Sequence, residues 1–148
     1  MRFQALCLAV ALAGCQAVEP IHTASGQPEM TLQNVDPACV RSALLNKMVD
    51  GGFQVRTATD TQIVGGREAR GGMARLMLST QAGGLPEERA SILFLPLPGN
   101  GLRVVFSAQY VSNAGTGFEK SVPIGASADD QRQMDMVAGS MASRCRKS

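Results

Sequence analysis

The chain has 148 residues, of which 45% are hydrophobic and 18% are charged. These values lie near ordinary globular usage and exclude a collagen, a coiled coil and a wholly disordered chain, and the length suits one domain rather than two. The formal net charge of +2 is too balanced for the electrostatic footprint of a nucleic-acid-binding protein.

The N-terminus carries one charged residue followed by a long apolar run. Arg2 precedes residues 3–13, which are interrupted only by Gln4. This run has the length of a signal-peptide core and is well short of the ~20 residues of a membrane-spanning helix. It ends in the sequence LAGC at residues 12–15, which resembles the lipobox of bacterial lipoproteins.

The resemblance implies that residues 1–14 are a signal peptide, that Cys15 is lipidated on its sulfur, and that its new amino terminus is acylated (palmitate). Several acyl chains, at about 0.8 kcal/mol per buried methylene, anchor a protein firmly. Gln16 follows the Cys. By resemblance to the enterobacterial sorting pattern, the absence of Asp there favours the outer membrane, with the domain in the periplasm. The alternatives are an ordinary cleaved signal peptide, with Cys15 present by chance, and a buried apolar N-terminal helix.

Processing of this kind removes Cys7 and modifies Cys15, which leaves Cys39 and Cys145. In an oxidising compartment, two thiols are most simply interpreted as one disulfide. The pairing would bring together the ends of the two helices predicted below. The alternative is two separate buried thiols.

Residues 15–35 are predicted to be the lipidated Cys and a flexible tether, because residues 16–35 contain Pro and Gly and show no sustained periodicity. The single domain, residues 36–148, is predicted to begin with a helix. Asp36 is a good N-cap and Pro37 suits the first helical position. Apolar residues then recur at helical spacing until two glycines end the helix; they are Val40, Ala43, Leu44 and Met48.

The middle of the chain predicts four or five antiparallel strands, on the basis of alternating or continuous apolar runs. In the last of them, alternate apolar residues share one face, from Leu102 to Tyr110. Glycine-rich or polar segments between the runs are predicted loops. The predicted strands cover residues 53–58, 61–65, 73–80, 89–97 and 101–112, and the loops cover residues 65–72, 81–88 and 113–126.

The C-terminal segment predicts a second amphipathic helix. Ser127 and Asp130 resemble a capping box, and an apolar stripe follows at helical spacing. The predicted fold is therefore α+β: a two-layer sandwich in which an N-terminal and a C-terminal helix flank an antiparallel sheet of four to five strands. The stripe consists of Met134, Val137, Ala138, Met141 and Cys145.

The residues offer little for catalysis, and a non-enzymatic function is expected. His22, the single His, lies in the predicted tether, which offers no scaffold to position it as the base of a nucleophile. The carboxylate pairs Glu87-Glu88 and Asp129-Asp130 are interpreted as solvated groups rather than as an acid–base pair. No metal or cofactor is expected, because metal-ligating residues are not clustered, the methionines suit core positions, and no phosphate-binding glycine motif is present.

The expected function is that of a lipid-anchored envelope protein that contacts another envelope protein, as an accessory subunit of an assembly or secretion machine. The candidate contact surfaces are the sheet face without helices, the edge strands and the 65–72 loop. Near that loop, Arg67, Arg70 and Arg75 form a small basic cluster. The cluster is either a contact for lipid phosphates or an acidic partner, or an ordinary solvated face.

The alternative function is that of a periplasmic carrier that holds a small apolar molecule or lipid between the helices and the sheet. Ile92, Phe94, Val104 and Phe106 would line such a cavity. The same residues are expected in a plain hydrophobic core.

Overall fold

The computed structural model describes residues 19–70 and 85–147, and there it shows an α+β fold. Six strands form one antiparallel sheet, and two helices pack on it, so the predicted fold class is confirmed. The elements in chain order are β1 (Glu29–Gln33), α1 (Pro37–Asp50), β2 (Gln54–Ala58), β3 (Gln62–Glu68), β4 (Glu87–Leu97), β5 (Gly101–Ser112), β6 (Lys120–Pro123) and α2 (Ala128–Arg144).

The sheet is built around the long hairpin of β4 and β5, which pair antiparallel along the whole of β4. Their turn holds Gly99 and Asn100 at positive φ, 73° and 61°, a conformation that Gly and Asn adopt most readily. The strand order is β1-β5-β4-β3-β2. β1 and β6 share the outer edge of β5, since β1 pairs with residues 101–105 and β6 with residues 109–112.

α1 begins and ends where its local signals predict. The Asp36 side chain accepts a hydrogen bond from the Ala38 N–H at 3.0 Å, and Pro37 occupies the first turn. The chain leaves the helix at Gly51, and Gly52 follows at a φ of 81°. The predicted apolar stripe is the buried one, formed by Val40, Leu44 and Met48.

α2 begins with the predicted capping box. The Ser127 hydroxyl accepts from the Asp130 N–H at 3.3 Å, and the Asp130 carboxylate accepts from the Ser127 N–H at 2.8 Å. Its stripe packs on the sheet beside α1; the inward residues are Met134, Val137, Ala138 and Met141.

A disulfide joins Cys39 in the first turn of α1 to Cys145 at the end of α2, with a Cα–Cα distance of 5.5 Å. This confirms the predicted pairing. The Asp36 N–H donates to the Cys145 carbonyl at 2.8 Å, and the Lys147 N–H donates to the Asn34 carbonyl at 2.9 Å. The start of α1 and the end of α2 are therefore held together both covalently and by backbone hydrogen bonds.

The predicted flexible tether does not extend to residue 35. Residues 29–33 form β1, whose Met30 and Leu32 are each 3% exposed and belong to the core. Further upstream, Pro20 forms a β-bridge with Ser127. The segment is ordered because it buries these two apolar side chains and satisfies the backbone edge of β5.

The predicted loops are also shorter than expected. β3 continues through Glu68, β4 begins at Glu87, and β6 lies inside the segment 113–126, so four to five strands is too low a number. Backbone pairing with a neighbouring strand extends each of these segments beyond its apolar residues. The strand predicted over 73–80, the signal peptide 1–14 and Cys15 lie outside the described residues. Neither described helix is long and apolar enough to cross a membrane.

Candidate functional site

The two helices are fastened at the disulfide and separate towards their other ends. There, Gln131 of α2 bonds the backbone of Glu29 in β1, at 2.9 and 2.7 Å. Met48 of α1 instead lies directly over Gly65 of β3. Because β5 and β4 lie between β1 and β3, the helices leave part of the central hairpin uncovered. We call this opening the inter-helix groove.

Two adjoining cavities occupy the inter-helix groove. The cavity near the start of α2 has a volume of about 310 Å³, and the one beside α1 about 220 Å³. The first is at the lower end of the range of small-molecule sites, 300–1,000 Å³. Both are lined by Ala90, Phe106, Met134 and Val137.

The groove includes half of the residues predicted for a carrier cavity. Ile92 and Phe106 line it. Phe94 and Val104, at 3% and 0% exposure, are core residues and line neither cavity. Phe94 and Val104 therefore fit the alternative expectation of a plain hydrophobic core.

The polar residues of the groove lie at its edges. Gln27, Asp130 and Gln133 border the larger cavity and Lys47 the smaller, while strand residues such as Ala90 and Phe106 contribute apolar surface. The groove thus suits an elongated apolar body with one polar end in water.

The N-terminal chain enters the domain beside this groove. Pro20 pairs with Ser127, and the Ala128 N–H donates to the Glu19 carbonyl at 3.1 Å. Further along, Gln27 and Pro28 line the larger cavity. Residues 19–28 therefore run from the start of α2 to the groove.

In the part of the chain that the structure describes, the opposite face of the sheet carries no helix, and we call it the open face. Its exposed apolar part is formed by Leu93 and Leu95 on β4, which are 39% and 41% exposed, whereas Val105 of β5, paired with Leu93, is buried at 9% exposure. Arg103, paired with Glu29 at 2.6 Å, borders it. Burial raises the pKa of Glu29, but hydrogen bonds from Arg103 and Ser25 outweigh it and lower the pKa overall.

The other half of the open face is ionic. Arg89 donates to both carboxylate oxygens of Glu119, at 2.7 and 3.2 Å, and to Glu87 at 3.1 Å; Arg56 also pairs with Glu87. The hydrogen bonds from Arg89 and from the Gly115 N–H lower the pKa of Glu119 from 4.5 to about 2. The Glu119 contact also raises the pKa of Arg89.

The adjacent carboxylates Glu87 and Glu88 are not the solvated loop that was predicted. Both lie on β4, and their side chains are 12% and 18% exposed. Glu88 accepts two hydrogen bonds from Arg67, each of 3.0 Å. Arg67 also donates to the Gly51 carbonyl at 2.7 Å and lies 4.2 Å from the centre of the Phe53 ring, so this member of the predicted basic cluster is engaged internally.

The remaining predicted residues are placed as follows. His22 is exposed in the segment before β1, and Arg75 lies outside the described residues. Across residues 19–70 and 85–147, no group of three or more His, Cys, Asp or Glu side chains is placed to hold a metal ion.

No protein-family model matches the chain, and no curated protein matches it. The function therefore has to rest on the residues and their geometry.

Proposed function

We propose that this chain is a non-enzymatic, lipid-anchored envelope protein that works by contact with another envelope protein. The anchor is the lipid on Cys15, and the domain stands in the periplasm at the outer membrane. The observation that carries the contact is the open face, where half-exposed Leu93 and Leu95 lie beside ion-paired Arg and Glu side chains. Protein interfaces likewise combine an apolar core with polar residues around it.

The ionic half of the open face supports specificity rather than affinity. Arg89 and Glu119 are already paired with each other, and exposed pairs contribute little free energy to binding but select complementary partners. The apolar half contributes binding free energy, because an interface removes its side chains from water. The partner is therefore expected to bring an apolar side chain against Leu93 and Leu95.

The test is in-cell crosslinking of the intact lipoprotein, followed by affinity capture and mass spectrometry. The double variant Leu93→Thr/Leu95→Thr removes the apolar surface while retaining β-propensity. The matched control is Val55→Thr/Val122→Thr, two exposed valines on strands β2 and β6.

One envelope protein should be enriched with the wild type and the control and lost with the Leu93/Leu95 variant. Equal capture by both double variants would refute the open face as the contact. A Cys15→Ser form tests the anchor separately, since it should leave the membrane fraction.

A further inference from the structure

The distance between the lipid and the folded domain is short. Four peptide steps separate Cys15 from Glu19, and they span at most about 14 Å when fully extended. Glu19 and Pro20 are held against the start of α2 by a hydrogen bond and a β-bridge. A lipid on Cys15 therefore lies on a residue within about 14 Å of Glu19, and Glu19 in turn contacts the start of α2.

The larger cavity of the inter-helix groove lies at this same corner of the domain. Pro28, Ile124 and Asp130 line it, and they flank the start of α2. Glu19, the first described residue after Cys15, and the wide end of the groove are thus on one side of the described domain. The disulfide end, with Cys145, is at the far end of α2, which is 17 residues long, about 25 Å at the rise of an α-helix.

The lining of the groove selects the chemistry of its occupant. Phe106, Val137 and Ala108 provide apolar walls, and the flexible thioether of Met134 adapts to a variable shape. The two cavities adjoin, so a long and narrow apolar body fits better than a compact one. The charged residue that lines the larger cavity is Asp130, whose carboxylate disfavours an anionic headgroup and suits one that carries an ammonium group.

We propose that the inter-helix groove binds one acyl chain of a zwitterionic phospholipid taken from the membrane that anchors the domain. The proposal rests on the lipid anchor of the proposed function but is independent of the protein contact on the open face. In this proposal, the apolar carrier site predicted from the sequence binds lipid at the membrane surface.

The test uses the absence of tryptophan from the chain, so that one introduced Trp is the sole Trp fluorophore. Gln133→Trp places it at the edge of the larger cavity. Met136→Trp places it on the same helix, three residues on, at a side chain that is 71% exposed. Each lipidated protein is reconstituted into phosphatidylethanolamine–phosphatidylglycerol vesicles that contain phosphatidylethanolamine brominated midway along its acyl chains.

Quenching by the brominated lipid is expected to be several-fold stronger at position 133 than at position 136. Adding Ala90→Phe, which fills the apolar surface shared by both cavities, should remove this difference. Circular dichroism shows whether that variant folds; if it does not, Val137→Phe, which narrows the same cavities, takes its place. Equal quenching at the two positions would indicate that α2 merely lies on the bilayer and would overturn the proposal.

Absence of quenching at both positions would also overturn it, including the case in which the protein's own anchor chain fills the groove. The mass of the purified protein shows independently whether Cys15 carries lipid, so failure of the anchor is distinguished from failure of the groove. Gln133→Trp in the Leu93→Thr/Leu95→Thr background should be quenched as strongly as Gln133→Trp alone, which separates this site from the open face.

Discussion

Removal of the Cys39–Cys145 disulfide should destabilise the domain chiefly through its unfolded state. The bond has a sequence separation of 106, and in the chain-entropy description a closed loop of about 100 residues contributes about 4.7 kcal/mol. In the folded state, the Asp36 N–H and the Lys147 N–H already tie the same chain ends by backbone hydrogen bonds. The folded geometry should therefore survive, and the loss should arise from the larger freedom of the unfolded chain.

We expect Cys39→Ala/Cys145→Ala to lower the free energy of unfolding by about 4 kcal/mol and Tm by about 15–25 °C. Urea unfolding followed by circular dichroism measures the first, and its m-value should rise because the unfolded state is more expanded. The wild type in reducing agent is the control, and it should lose a similar amount. A loss below about 1 kcal/mol in both samples would refute the unfolded-state reasoning.

Three further predictions concern single side chains. Folding lowers the pKa of Glu119 from 4.5 to about 2, so its pairing with Arg89 stabilises the fold above pH 4.5. The stability advantage of the wild type over Glu119→Gln in urea unfolding should vanish as the pH falls through about 2. Ser127→Ala, which removes one half of the capping box, should cost about 1 kcal/mol in the same assay. Gly65→Ala should cost about 1–3 kcal/mol, since its Cβ would lie 3.2 Å from the Gln54 carbonyl oxygen as well as 2.9 Å from the Met48 sulfur. Gly117→Ala, with nothing within 4 Å, should be nearly neutral in thermal unfolding.

The helices could be predicted because their signals are local. Asp36, Pro37 and the two following glycines mark α1 within one stretch of sequence, and Ser127 with Asp130 marks the start of α2. A cap forms with groups only two or three residues away. Such signals do not depend on where the rest of the chain lies.

Strands β1 and β6 were missed because pairing with β5, rather than their own apolar pattern, makes them strands. β1 has only two inward apolar residues, Met30 and Leu32, in five positions, and all four residues of β6 are exposed. Each becomes a strand by pairing with β5, which is more than sixty residues after β1 in the sequence. Periodicity in so short a segment is too weak to reveal this pairing.

The inter-helix groove could also be predicted only in part. The apolar stripes identified Ile92, Phe106, Met134 and Val137 as inward-facing, and they are. Whether such residues fill a core or border a cavity depends on how far the two helices diverge. That divergence is set by contacts far apart in sequence, such as Gln131 with Glu29 at 2.9 Å. The ionic half of the open face was missed for a related reason, since Arg89 and Glu119 meet only after β5 and β6 pair.

The contacts of Glu19 and Pro20 with the start of α2 shorten the expected reach of the proposed anchor. A flexible tether of twenty residues would hold it at about 25 Å from the anchor on average, whereas attachment of Glu19 to α2 leaves at most about 14 Å. The two proposed sites are then on opposite faces of one sheet near the bilayer, since Phe106 faces the groove and its neighbour Val105 faces the open side. An acyl chain on one face and a protein on the other would not compete for the same surface. With the proposed anchor in place, the domain is therefore expected to bind both at once.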